Sequence, residues 1–259
     1  MSGRRALLAI TVIVVAVAVV VGVLVWPWVR IYTNAAPPDQ FSAPLSPPAL
    51  SGRSVLAVAH NAGNNAATTA AALRYGAEVI EIDVVRVRGR LAAGRAHGWW
   101  WLAERVFRGE TLASAWDHAA AAKIVKLDLQ QNDRGLLDAL ISFLGRVPAN
   151  RPVMVSTRDP GAIQYLRPRV APAVTLLFSV PFPDAVTRVE TDRALAAAIG
   201  GISVFQGLVT ASLVTRAPPA QAARHRLDRQ RRHTSHQLLR LDVDGITTAN
   251  LAMMRALAD

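Results

Sequence analysis

Cysteine is absent from the 259 residues, so disulfides, thiolate metal sites and thiol nucleophiles are all excluded. Any metal must be held by oxygen or imidazole. Lysine is almost absent too: of 29 basic residues, only Lys123 and Lys126 are lysines. Aromatic residues make up 6% and charged residues 18%, while 52% are apolar, enough to fill a sizeable core and too many for a largely disordered chain. No internal repeat is present.

The formal net charge of +11 invites a nucleic-acid reading, but a surplus made of arginine is explained equally well by codon composition. The densest basic run, Arg224–Arg232 (RHRLDRQRR), has no aromatic interleaving and matches no nucleic-acid motif. It is expected to be a solvated helix face, with phosphates or anionic lipid head groups as the other reading. No nucleic-acid partner is expected, and nothing in the sequence points to a protein partner.

The chain divides by composition. After a short tail of residues 1–5, Ala6–Trp28 is uncharged and rich in Val, Ile and Leu, long enough to cross about 30 Å of hydrocarbon as a helix. A cleaved signal peptide would have a shorter apolar region and a better small-x-small site than the one around Asn34–Ala36, so an anchor is favoured. Arg4 and Arg5 precede this segment and only Arg30 closely follows it. That asymmetry predicts a single-pass membrane protein with its folded domain outside the cytoplasm. Residues 29–50, rich in Pro, Ala and Ser, read as an extended tether, and residues 51–259 as the domain.

Within that domain, short β-branched runs alternate with alanine-rich helical stretches. VLAVAH, EVIEIDV, KIVKLDL, PVMVST, VTLLFSV, GISVFQ and DGITT are strand candidates; Ala66–Tyr75, Thr111–Ala122, Gly135–Leu144, Gly161–Leu166 and Asp192–Ala198 are helix candidates. Such alternation predicts a parallel sheet with helical crossovers. About seven units suit a small α/β (β/α)8 barrel of the triosephosphate isomerase type better than an open sheet, with ligands gathering at the C-terminal strand ends in either case.

Side chains alternate along a strand, so in VIEIDV the residues Ile80, Ile82 and Val84 face one way and Glu81 and Asp83 the other. Since the helix-facing side of a barrel strand is apolar, both carboxylates point inward. Uncompensated, they would repel each other and cost several kcal/mol of desolvation. A cation between them removes the conflict. Asp128, near the end of KIVKLDLQ, has the same setting and completes a three-carboxylate set. Oxygen-only ligation selects a hard ion, Mg²⁺ or Ca²⁺. His60, ending the first strand, and His97, in RLAAGRAHG, supply two imidazoles suited to general acid–base work.

The order AHNAGNN…ALRYGAEVIEIDV…H, then LDLQ, resembles the glycerophosphodiester phosphodiesterase family, within the superfamily of phosphatidylinositol-phospholipase-C-like barrels. The likeness continues through GETLASAWDHA, VMVSTRDPGAIQYLR, ISVFQGLVTASLVTRA and LLRLDVDGITTANLAMM, over essentially the whole chain after the tether. This resemblance implies a TIM barrel that binds Ca²⁺ or Mg²⁺ and cleaves phosphodiesters. It implies His60 and His97 as the catalytic pair and Glu81, Asp83 and Asp128 as metal ligands.

Three departures stand out. Asn61 occupies the place where the family has a phosphate-binding Arg, and an amide cannot reproduce the bidentate guanidinium grip. Asp128 and Gln130 stand where the family has a Glu and, two residues on, a Lys; Lys126, on the same strand face, is the candidate replacement for the lost charge. Around the seventh strand the basic stretch RRHTSH replaces the family's segment, which predicts a barrel that is incomplete there. The AH-x-x-N opening and the later Asp are also similar to sphingomyelinase D-like phospholipases.

Asn61, Lys126, Gln130 and Trp99 are therefore the expected substrate contacts. Trp99, Trp100 and Trp101 cannot all face one core, and at least one is expected at the rim, gripping lipid or the bilayer interface. His118, His225, His233 and His236 are expected at the surface, and Asp242 and Asp244 in turns or caps. The expected function is metal-dependent hydrolysis of a glycerophosphodiester to an alcohol and glycerol phosphate, with a lysophospholipid as the related substrate. Phospholipase D-like or C-like attack on an intact lipid is the first alternative. The second is an inactive barrel binding a phosphorylated ligand or envelope partner.

Overall fold

The computed structural model describes residues 55–95, 107–148, 151–205, 208–209, 225–227, 238 and 243–258. The tail, the proposed span Ala6–Trp28 and the tether lie outside the described residues, as do His97 and Trp99–Trp101. Among the described residues, no helix is long and apolar enough to cross a membrane.

The described elements are, in order, β1 (Leu56–Ala59), a 3₁₀ turn (Ala62–Asn64), α1 (Ala66–Arg74), β2 (Val79–Val87), β3 (Arg90–Ala93), α2 (Leu112–His118), β4 (Ile124–Leu129), α3 (Arg134–Leu144) and β5 (Val153–Thr157). They continue with α4 (Pro160–Leu166), β6 (Val174–Val180), α5 (Pro183–Thr191), α6 (Arg193–Ala198), β7 (Gly201–Phe205), β8 (His225–Leu227), β9 (Gly245–Thr248) and α7 (Leu251–Ala258).

Eight strands pair in parallel in the order β1, β2, β4, β5, β6, β7, β8, β9, and β1 pairs with β9 as well as with β2, which closes the ring. The fold is TIM-like α/β. Closure corrects two expectations from the sequence. The ring continues through the seventh position, although only through a three-residue strand held to β9 by the single pair Leu227↔Thr247. Residues 225–227 of the arginine-rich run are a strand, where a solvated helix face was expected. A run this short, flanked by charge, carries too little periodicity for its period to be read.

Helix ends follow side-chain capping. Asn65, Thr111, Asp133, Asp159 and Asp192 each accept a hydrogen bond from a backbone N–H in the first turn of the helix that follows. In α3, Leu136, Leu137, Leu140 and Phe143 form one buried face against the strands. The outward-facing residues Ile80, Ile82, Val125, Leu127, Val155, Leu176 and Phe178 belong to the main core beneath these helices. Inside the ring, Met154 and Leu177 pack with Leu56 and Ile124 as an apolar layer. Above it, towards the C-terminal strand ends, the interior turns polar with Glu81, Lys126 and Ser156, all buried.

One feature was not legible from the sequence. β2 runs past the barrel and folds back antiparallel through Arg88 and Gly89 into β3. Both turn residues have positive φ, 50° and 76°, as a two-residue hairpin of the primed type requires. The hairpin returns the chain to the mouth, where Gly94, at φ 127°, donates its N–H to the Asp83 carbonyl at 2.8 Å.

Candidate functional site

The three acids converge. β2 and β4 are adjacent and in register, with Glu81 opposite Lys126 and Asp83 opposite Asp128, so alternation places all four side chains on the inner face. One carboxylate oxygen from each of Glu81, Asp83 and Asp128 lies within 4.8 Å of the others. Glu81 and Asp83 are buried, and Asp128 is partly open at the mouth.

Each acid has its own support. Lys126 donates to Glu81 at 2.8 Å and is itself only 2% exposed, so it is the internal counter-ion of Glu81 and is not open to solvent as a phosphate contact. Burial opposes the charge of Lys126, but the fields of Glu81, Asp128 and Asp83 override it and raise its pKa. Asp83 is gripped by the Arg95 guanidinium, with Nε at 2.9 Å from one carboxylate oxygen and the terminal nitrogen at 3.3 Å from the other. The Asn64 amide donates to Asp83 at 2.8 Å and its oxygen accepts the Asp83 backbone N–H at 2.9 Å. Burial and then repulsion from Glu81 push Asp83 up from its ordinary value, against the pull of Arg95. Asp128 accepts from Ser156 Oγ, its register neighbour on β5, at 2.5 Å. The Gln130 side-chain nitrogen bridges the remaining gap, 2.6 Å from both Asp83 and Asp128.

His60 follows β1 directly, with its backbone N–H bonded to the Thr248 carbonyl on the neighbouring strand at 2.9 Å. Its Nε2 lies 3.8 Å from Glu81, and 19% of the side chain remains exposed, enough to be reached from the mouth. Burial, and next the Arg95 charge, lower its pKa to about 4, so the ring is neutral near pH 7. Asn61 adopts a left-handed conformation, φ 57°, and its side-chain oxygen accepts from Arg95 at 3.2 Å.

The predicted residues His60, Asn61, Glu81, Asp83, Lys126, Asp128 and Gln130 are therefore brought together. The sequence reading missed Arg95, Ser156 and the specific task of Asn64. Ser156 was within reach, since it occupies the second-last place of VMVST just as Asp128 does in IVKLDL. Arg95 depends on a hairpin that the pattern RVRGRLAA does not announce.

The donor set fits a hard divalent cation: three convergent carboxylates, all oxygen, with Lys126 and Arg95 leaving one net negative charge. Beside the acids, a cavity of about 380 Å³ opens between the ends of β4 and β5 and helix α5.

Solved structures share this fold. A phosphodiesterase from Oleispira antarctica in complex with the product sn-glycerol-3-phosphate is 14% identical, with a TM-score of 0.64, covering 78% of this chain and 96% of its own. A glycerophosphodiester phosphodiesterase from Parabacteroides distasonis is 12% identical, at a TM-score of 0.63, over 79% of this chain and 96% of its own. A calcium-dependent phosphoinositol-specific phospholipase C from a Pseudomonas species is 9% identical, at 0.52, over 77% and 90%. No protein-family model matches the sequence, and neither does any curated protein.

Proposed function

We propose that the protein is a metal-dependent phosphoric diester hydrolase that converts glycerophosphodiesters to an alcohol and glycerol phosphate. The observation that carries this reading is the charge balance at the mouth. Three carboxylates against Lys126 and Arg95 leave a deficit of one positive charge. A divalent cation turns that deficit into an excess of one, which matches the single negative charge of a phosphodiester.

Glu81, Asp83 and Asp128 would hold Mg²⁺ or Ca²⁺, which when bound supplies positive charge against a non-bridging phosphate oxygen. His60, a free base near neutral pH, accepts the proton of the substrate hydroxyl that attacks phosphorus. His97 is assigned the proton delivered to the departing alcohol. The roles reverse when water opens the cyclic phosphate. Burial raises the pKa of Glu81 and the charge of Lys126 opposes that rise, while Arg95, Asn64 and Gln130 fix the Asp83 carboxylate. Asn61 and Trp99 remain the proposed substrate contacts, the latter for a lysophospholipid chain or the bilayer interface. The segment Ala6–Trp28, with Arg4 and Arg5 before it, supports anchoring of the domain outside the cytoplasm.

A second reading, a barrel that binds a phosphorylated ligand without turning it over, is favoured by one contact set. Gln130, Arg95 and Lys126 already hydrogen-bond to the three acids. Assays with glycerophosphocholine, lysophosphatidylcholine and phosphatidylinositol, each with and without Ca²⁺ or Mg²⁺, separate the two. The proposal expects cation-dependent hydrolysis of the first, lost by orders of magnitude in His60→Ala. Hydrolysis that survives exhaustive chelation rejects the metal-assisted scheme, and no hydrolysis of any substrate leaves the binding reading.

A further inference from the structure

We propose that the cavity beside the acid cluster is a subsite for a second anionic group on the substrate, such as a phosphate on the leaving alcohol. This inference rests on the hydrolase reading for calling the ligand a substrate. The cavity shares Asp128 and Gln130 with the acid cluster, so a molecule whose diester lies at the cluster extends directly into it. Its volume of about 380 Å³ suits a small polar group and falls at the low end of ligand sites.

The formal charge of the lining balances, two acids against two arginines, but its hydrogen-bonding capacity is unspent on one side only. Of its two acids, Asp128 is taken up by Ser156 and Gln130, and Asp159 by the Gly161 N–H at 2.9 Å and the Asn132 amide at 2.7 Å. Its two guanidinium groups, Arg158 just past β5 and Arg188 on α5, have no carboxylate partner among the described residues. Two exposed arginines from separate elements line one concave polar surface, and guanidinium donors suit phosphate oxygens.

The test compares glycerophosphoinositol with glycerophosphoinositol 4-phosphate, which differ by one phosphate. Binding is measured by calorimetry to full-length protein carrying His60→Ala, with Ca²⁺ present so that the acid cluster can take the diester while turnover is blocked, and hydrolysis is measured in parallel with His60 intact. The protein with both arginines is expected to bind the phosphorylated probe at least about tenfold more tightly, as two charge-assisted contacts would give. The preference is expected to vanish in Arg158→Gln/Arg188→Gln. It should persist in Arg134→Gln/Arg169→Gln, which removes the same charge outside the cavity. Equal affinity for the two probes, no binding of either, or equal loss in both double variants overturns the subsite. Turnover of both probes without preference sinks the subsite and spares the hydrolase reading; preference without turnover does the reverse.

Discussion

Replacing Lys126 by Met tests whether the barrel interior is organised around charge. Lys126 and Glu81 face each other across adjacent strands at 2.8 Å, and both are about as buried as the apolar core. Removing the cation strands a carboxylate beside two others, and breaking a buried pair from one side costs about 3–5 kcal/mol. That is a large share of a total stability of about 5–15 kcal/mol. For a domain of this size it corresponds to a fall in Tm of about 6–20 °C. The assay is thermal unfolding followed by circular dichroism in the presence of a chelator. Removing both charges in Glu81→Leu/Lys126→Met should recover most of the loss, because two apolar groups of similar volume leave nothing unpaired. A single variant within about 1 kcal/mol of wild type, or a double variant no better than the single, would refute the account of an internal ion pair.

Other outcomes follow from the same geometry. Since Asp83 has its pKa raised when folded, the native state holds that proton longer than the unfolded chain; its contribution to cation-free stability is therefore intact below the ordinary carboxyl value of 3.8 and is lost as pH rises through the shifted value. Added Mg²⁺ or Ca²⁺ should flatten that decline, as read by denaturant unfolding at a series of pH values. The His60 imidazole should titrate by NMR near 4, not 6.5; with a depressed pKa its contribution to stability is present above 6.5 and falls as pH drops towards 4. Gly63→Ala should displace the turn that carries Asn64, because a Cβ there would sit 2.3 Å from Ile82 Cγ1 and 3.0 Å from the Glu81 carbonyl. The expected results are a cost of about 1–3 kcal/mol and weaker cation binding, both measurable on the purified variant.

Much of the site was written in strand periodicity. Glu81 and Asp83 alternate with isoleucine and valine, and Asp128 sits at the same height in the next barrel strand, so their convergence needed only alternation and parallel pairing. Lys126 was placed on the right face, yet its partner was not visible, because the sequence does not fix which strand pairs with which register. The β2–β3 hairpin escaped notice for a local reason. Its turn is Arg88-Gly89, without the Asn or Asp usually found in such turns, so Arg95 could not be tied to Asp83. Helix α5 was not among the helix candidates, since PFPDAVTRVET opens with two prolines, although Pro183 falls in the first turn, where proline is tolerated. β8 was hidden by its length of three residues.

Cation binding tests the central claim most directly. Calorimetric titration of Ca²⁺ and Mg²⁺ into chelator-treated protein should reveal one site per chain, weakened by about 100-fold or more in Asp83→Asn and in Asp128→Asn, which remain folded by circular dichroism. A wild-type protein that takes up neither ion, or one whose affinity is unchanged by both substitutions, would contradict it.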